Sequence, residues 1–180
     1  MIDADVRTSV LGGRQMTQEE LDRSISTIRY GTLSYVDEEG WPDMRPMNFG
    51  VYQGCYYFHA HKTKGEKLKS LTSGKRVCIS FYKASDQVGQ EPICQHESVL
   101  VYGRLERLDE SDENTEEMLQ GLTALCLAAG TPYKAAPERL ASGVKTISVF
   151  KVIPEHTVGK LVRFATLPAR PAPADSAPTP

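Results

Sequence analysis

The 180-residue sequence predicts a mainly β domain, an antiparallel β-barrel or sandwich with flanking helices packed outside it. Three observations carry this. From Gly31 onward the chain breaks into short runs rich in Val, Tyr, Phe and Thr, separated by turn signals. Only two stretches hold a substantial helical period, and they do not alternate with the strands, which argues against a doubly wound sheet. No GxGxxG or GxxxxGK[ST] follows a strand, so neither a dinucleotide fold nor a P-loop is supported.

Taken in order, residues 1–15 show no clear period and are assigned to an N-terminal arm. "MTQEELDRSISTI" begins a helix: Thr17 can cap it, Glu20 completes a capping box, and Leu21, Ile25 and Ile28 share a face. A meander follows in "GTLSYV", "DEEGWPD", "MRPMNFGVY", "QG" and "CYYFHAH". Pro46 removes a ladder donor, so its strand should be an edge, be bulged there, or leave neighbouring backbone groups free for a ligand. "EKLKSL" offers one or two helical turns, and "RVCISFY" alternates Val77, Ile79 and Phe81. Residues 84–95 read as a loop, and "ESVLVYGRLERLD" as a long strand whose Gly103 suggests a bulge or a close backbone approach. Ser111 is placed as the cap of a second helix with a buried stripe of Met118, Leu122, Leu125, Cys126 and Ala129, closed by Gly130. "VKTISVFKVI" is a strand, "HTVGKLVRFA" a separate edge strand, and residues 164–180 a Pro/Ala-rich tail, leaving 16–163 as the single domain.

With 21 basic against 23 acidic residues, no long-range field holds nucleic acid or an anionic membrane, so neither is expected as a partner. There is no apolar run of about 18 residues to span a bilayer, and "MIDADVRTSVLGGRQ" lacks the plan of a signal peptide; the expected location is the cytoplasm. Cys55, Cys78, Cys94 and Cys126 are widely spaced without a CxxC pair, and disulfides are not expected.

Three segments carry candidate chemistry. In "YYFHAHKTKGEKLKSL" an aromatic run empties into a basic turn of Lys62, Lys64, Gly65, Lys67 and Lys69. Gly65 can adopt backbone angles closed to other residues, and free amides at a following helix suit an oxyanion, above all a phosphate. The alternative is a turn kept soluble by its lysines. His59 and His61 project from one strand face and could join Cys94 and His96 around a metal, or serve as hydrogen-bonding and solvated residues; no metal site is assigned. In "MRPMNFG", Arg45 and Asn48 beside Met47 and Phe49 suit a flat heterocycle with polar edges, or else a strand with Met47 and Phe49 inward and Arg45 in a surface ion pair. No serine–histidine–acid order or close carboxylate pair points to a hydrolase.

Together, the capped helix, the Pro-containing strand, the Y-F-H strand end, G-x-K, "GKRVCISFY", "ESVLVYGRLERL" and "ISVFKV" with a later "VGK" resemble the FMN-binding split-barrel proteins related to pyridoxamine 5'-phosphate oxidase, within them the group associated with 5-nitroimidazole resistance. The resemblance covers roughly residues 10–163. It implies a six-stranded antiparallel split β-barrel and a homodimer with FMN at the subunit interface. By position, Arg45, Pro46, Met47 and Asn48 match the strand bordering the flavin ring, and His59 the histidine beside it, assigned as proton donor or substrate contact. Lys64, Gly65 and Lys67 match the phosphate turn, and Ser98 and Val99 the strand that closes the groove. The implied activity is an oxidoreductase passing electrons from NAD(P)H or another donor to a small molecule such as a nitroaromatic. The alternative is a flavin- or haem-binding storage or sensor protein. His61 and the long "KTK" link depart from the family pattern, which leaves open which lysine holds phosphate.

Overall fold

The computed structural model describes residues 13–27, 29–62, 67–84, 96–110, 114–132, 135, 136, 140 and 146–162; the arm and the tail lie almost wholly outside them. Eight strands form one antiparallel sheet: β1 (Gly13–Gln15), β2 (Tyr30–Val36), β3 (Pro42–Asn48), β4 (Gly50–Tyr52), β5 (Cys55–His61), β6 (Arg76–Ala84), β7 (His96–Arg107) and β8 (Ile147–Val162). Six are long and two have three residues. The order is β3-β2-β6-β7-β8-β5-β4, with β1 on the end of β8. The sheet curls, so that residues from both of its ends meet in one core. Phe49, at the β3–β4 junction, packs edge-on against Phe58 of β5 (5.8 Å) and Phe81 of β6 (5.6 Å). Period-two alternation sends Leu33 and Tyr35, Val77, Ile79 and Phe81, and Val99 and Val101 into that core.

Turn chemistry sets the hairpins. Asp37 accepts from the amides of Glu39 (3.0 Å) and Trp41 (2.8 Å), closing β2 on β3. Gln53 and Gly54 both have positive φ (47° and 76°), as a two-residue type I′ hairpin requires. Pro46 sits in β3, an edge strand that pairs only with β2 among the described residues.

Helix α1 (Gln18–Thr27) starts with the expected capping box: Glu20 N–H donates to Thr17 Oγ1 (3.3 Å) and Thr17 N–H to Glu20 Oε2 (3.0 Å). Its Leu21 and Ile25 pack on the barrel core, while Ile28 is outside the described residues. Helix α2 (Lys67–Ser70) is a single turn. Helix α3 spans Thr115–Ala128 behind Asn114, later than the sequence suggests, and Ser111 is not among the described residues. Of its stripe, Leu122 and Leu125 are buried and Met118 and Cys126 partly so, but Ala129 is exposed, because α3 ends there and Gly130 turns away at φ 87°.

One expectation needs correction. "HTVGKLVRFA" is not a separate edge strand: β8 runs unbroken for sixteen residues and pairs with β7, β5 and β1. The ladder absorbs Pro154 by a bulge, with Tyr102 opposite His156 but Gly103 opposite Pro154, which leaves Glu155 over. Gly103 permits this, since a Cβ there would stand 3.0 Å from the Ile153 carbonyl carbon. Residues 144 and 145 lie outside the described part, and Ser148, Val149 and Phe150 are all buried, because β8 is covered on both faces.

Candidate functional site

β3 and β4 are separated only by Phe49, so residues 42–52 form one bent ribbon whose first half pairs with β2 and whose second half pairs with β5. The β4–β5 register sets Gly50 opposite Tyr57, and the Phe49–Phe58 ring contact continues it by one pair. Asn48 and His59 each come one residue beyond those rings at the seam where the ribbon leaves β2: Asn48 is opposite Tyr30 of β2 and His59 opposite Val149 of β8. Phe49 and Phe58 point into the core; period two therefore sends Asn48 and His59 to the outer side. The chain then passes through His61 to Lys62, the first residue of the basic bend. Thus the Phe49–Phe58 contact brings the end of the Arg45–Asn48 segment toward the part of β5 that carries His59 and leads into the bend.

The ribbon's two faces differ. Pro46 and Asn48 share the outer face with Met44, which is 64% exposed. Arg45 shares the other face with Asp43, whose Oδ2 accepts from Arg45 Nη2 (2.8 Å) and Nε (3.1 Å) and from the Tyr35 hydroxyl (2.6 Å). The hydrogen bond from Tyr35, and then that from Arg45, hold the Asp43 carboxyl below its ordinary pKa despite its desolvation. Arg45 is therefore in the surface ion pair that was its alternative reading, and its fork is already occupied. Met47 is partly buried against the core, as that reading also requires.

Lys64 and Gly65 lie outside the described residues, and Lys67 opens α2. With α2 only one turn long, a helix macrodipole contributes little, and any grip on an anion must come from backbone amides and lysine charge. Both ends of the bend are pinned to the end of β7. On the entry side, the Lys62 amide donates to Thr146 O (2.9 Å) and its Nζ lies 3.8 Å from Asp109 Oδ2. On the exit side, the Gly74 amide donates to Leu105 O (2.7 Å) and the Arg107 amide to Ser73 Oγ (3.0 Å). Asp109, just past β7, is buried; it accepts from Arg107 Nε (3.0 Å) and Nη2 (3.2 Å) and from the Ser148 hydroxyl (3.0 Å). Burial alone would raise the Asp109 pKa, but the hydrogen bonds and charge of Arg107 with the Ser148 hydroxyl outweigh it and hold the carboxyl below its ordinary value. Reading the sequence missed this network, whose only trace there is an Arg-Leu-Asp ending to a strand.

Ser98 stands on the outer face of β7, whereas Val99 is wholly buried and offers a ligand only its backbone. β7 is three strands from β3, about 14 Å at ordinary strand spacing, so one chain does not bring Ser98 to Asn48 and His59. The face between them is mostly uncharged. One row reads Pro46, Thr32, Ser80, Leu100, Val158 and the next Met44, Ser34, Cys78, Tyr102, His156.

A cavity of about 900 Å³ lies between α1, β4 and α3, floored by Phe49 and Phe81. None of the site residues chosen from the sequence lines it. Among the described residues no three His, Cys, Asp or Glu side chains gather as a metal site, and Cys94 is outside that set. No helix among them is long and apolar enough to cross a membrane.

The curled sheet, its terminal strands β3 and β4 joined through Phe49, and flanked by helices, is a split barrel. Comparison with known proteins makes this specific: the chain belongs to the pyridoxamine 5'-phosphate oxidase family, whose model matches residues 17–160. Among solved structures, a conserved hypothetical protein from Mycobacterium tuberculosis superposes with TM-score 0.69 at 18% identity, over 94% of this chain and 99% of that one. The FAD and haem binding protein of Mycobacterium smegmatis follows at 0.62 and 17%, over 94% of each chain. A candidate 5-nitroimidazole antibiotic resistance protein from Bacteroides thetaiotaomicron gives 0.60 and 22%, over 83% of this chain and 88% of that one. At these identities the structural likeness shows the fold alone. No curated protein matches the chain.

Proposed function

We propose that this protein binds FMN at the seam, with the ring against the outer side of the Pro46–Asn48 segment and the phosphate in the basic bend, and that it is an oxidoreductase. The observation that carries the reading is the Phe49–Phe58 contact, which sets the residues next to Asn48 and His59 against each other on the strand from which the bend departs. Two of the similar folds are described as FAD-binding proteins and one as both FAD- and haem-binding, which supports a flavin at this place. A bound flavin would supply the redox chemistry, taking electrons from NAD(P)H or another donor and giving them to a small acceptor such as a nitroaromatic. The chain's own part is to hold and orient. Asn48 offers an amide to a ring edge, His59 stands on the outer side as a proton donor or substrate contact, and Lys64 and Lys67 neutralise phosphate. Lys62, beside Asp109, anchors the bend instead.

The homodimer belongs to the same proposal. Ser98 reaches the seam only if a second copy lays its outer face against the first, and the uncharged rows on that face suit such a contact. Replacing Leu100 with arginine should then give monomers by sedimentation and lower flavin content; an unchanged dimer would refute this arrangement. The proposed location is the cytoplasm, in keeping with the thiols of Cys55 and Cys126, which form no disulfide among the described residues.

The absorbance spectrum of untreated protein tests the reading: flavin bands are expected, chromatography of the released flavin separates FMN from FAD, and anaerobic NADH should bleach the colour. Lys67→Ala is expected to weaken flavin binding about 10- to 100-fold, the worth of one charge-assisted hydrogen bond. Unchanged retention would return that lysine to solubilising the turn. His59 and His61, on one face of β5, favour a second reading, a haem-binding storage or sensor protein, which a Soret band would reveal.

A further inference from the structure

We propose that the cavity between α1, β4 and α3 is the site for the protein's organic reactant, a flat aromatic molecule carrying a carboxylate, and that Arg29 selects the anion. That the ligand is a reactant rests on the flavin reading above; that it binds does not. At about 900 Å³ the cavity is of the size that takes small organic ligands. Its floor is aromatic, with Phe49 and Phe81 meeting edge-on at 5.6 Å, and its α3 wall presents Leu119 and Leu127, each 41% exposed.

Charge gives the cavity a direction. Among the described residues Arg29 and Glu116 are the only charged ones lining it. Glu116 is in the first turn of α3, and Arg29 stands at the other end, its Nη1 3.6 Å from where a Cβ on Gly130 would be. The helix separates them by roughly 18 Å at 1.5 Å per residue, so an anion is drawn to one end and kept from the other. Among the described residues no carboxylate pairs with Arg29, and its guanidinium lies beside the carbonyl end of α3, where the helix dipole is negative. The cavity also abuts the seam. Arg29 precedes Tyr30, which pairs with Asn48, and Phe49 is at once the cavity floor and the bend of the ribbon. A ring lying on Phe49 with its carboxylate at Arg29 lies on the core side of the ribbon, against the Asn48–Phe49 backbone whose outer side the flavin reading uses.

Calorimetric titration of the full-length protein with 4-nitrobenzoate and with nitrobenzene tests this. The carboxylate should bind about tenfold or more tightly than its neutral counterpart, as a charge-assisted contact gives. Arg29→Gln should abolish that preference, and Ala128→Phe, which fills the cavity beside Leu127, should weaken both ligands while leaving the flavin spectrum unchanged. Equal binding of the two probes, a preference that survives Arg29→Gln, or indifference to Ala128→Phe would each overturn the proposal. Colourless protein that still prefers 4-nitrobenzoate through Arg29 would sink the flavin reading and leave this site standing, whereas yellow protein that binds neither probe would do the reverse.

Discussion

Asp109→Ala is expected to destabilise the protein by about 3 kcal/mol, the lower end of what breaking a buried ion pair costs. Asp109 is 7% exposed at its side chain, and its removal takes both carboxylate bonds from Arg107 and the carboxylate acceptor from the wholly buried Ser148, leaving Arg107 its bond to Ser148 Oγ (3.0 Å). For a chain of this size that is a fall of roughly 6–12 °C in Tm. Removing both charges as Arg107→Met with Asp109→Leu should recover part of the loss, since no uncompensated charge then remains in the interior. The same substitution frees the entry of the basic bend, where Lys62 leans on Asp109, so flavin should be lost at temperatures where the sheet is still folded. A melt within about 0.5 kcal/mol of the parent, as for an ordinary surface substitution, would show that the network does not hold the bend. Its pH dependence has a defined sign. The folded-state pKa of Asp109 lies below its ordinary value, so its contribution is fully present above about 3.9 and is lost as the pH falls below that and through the lowered folded value. In Asp109→Ala this part of the acid destabilisation should be missing.

Gly50→Val is expected to be nearly as damaging, at about 3 kcal/mol, the upper part of the usual overpacking range. A Cβ on Gly50 would stand 2.6 Å from the Ala124 carbonyl carbon and closer still to the Leu125 amide nitrogen. These are backbone atoms of a helix, which cannot swing aside as a side chain can. Helix α3 would have to lift from the ribbon, exposing Tyr57, whose hydroxyl donates to Glu117 (2.9 Å), and Leu125 behind it. Thermal unfolding should show the loss, and hydrogen exchange should place it in α3 and β4 before the β6–β7 hairpin. Exchange rising equally in β6 would mean that α3 and the ribbon do not form a unit.

Local patterns made much of this legible. Thr17 and Glu20 three apart specify a capping box through bonds within one turn, and Asp37 to Trp41 and Gln53-Gly54 specify hairpins through φ angles that few residues adopt. The alternation in "RVCISFY" shows which side of β6 is buried, because period two depends on no distant partner. The continuity of β8 past Pro154 was not legible: a bulge opposite Gly103 absorbs the proline, and a bulge is a property of the pair of strands.

Chain-local chemistry by itself determined the class of the protein, its strand segments and hairpins, and the two stretches, 45–48 and 59–67, to which function is assigned. Tertiary structure alone decided that Phe49 packs on Phe58 beside Asn48 and His59, that Arg45 is taken by Asp43, that Lys62 leans on Asp109, and that Arg29 stands at a cavity no site residue chosen from the sequence lines. The division has one cause. Backbone preferences and side-chain period act over a few residues, whereas ion pairs, cavities and seams depend on which distant segments the curl of the sheet brings into contact.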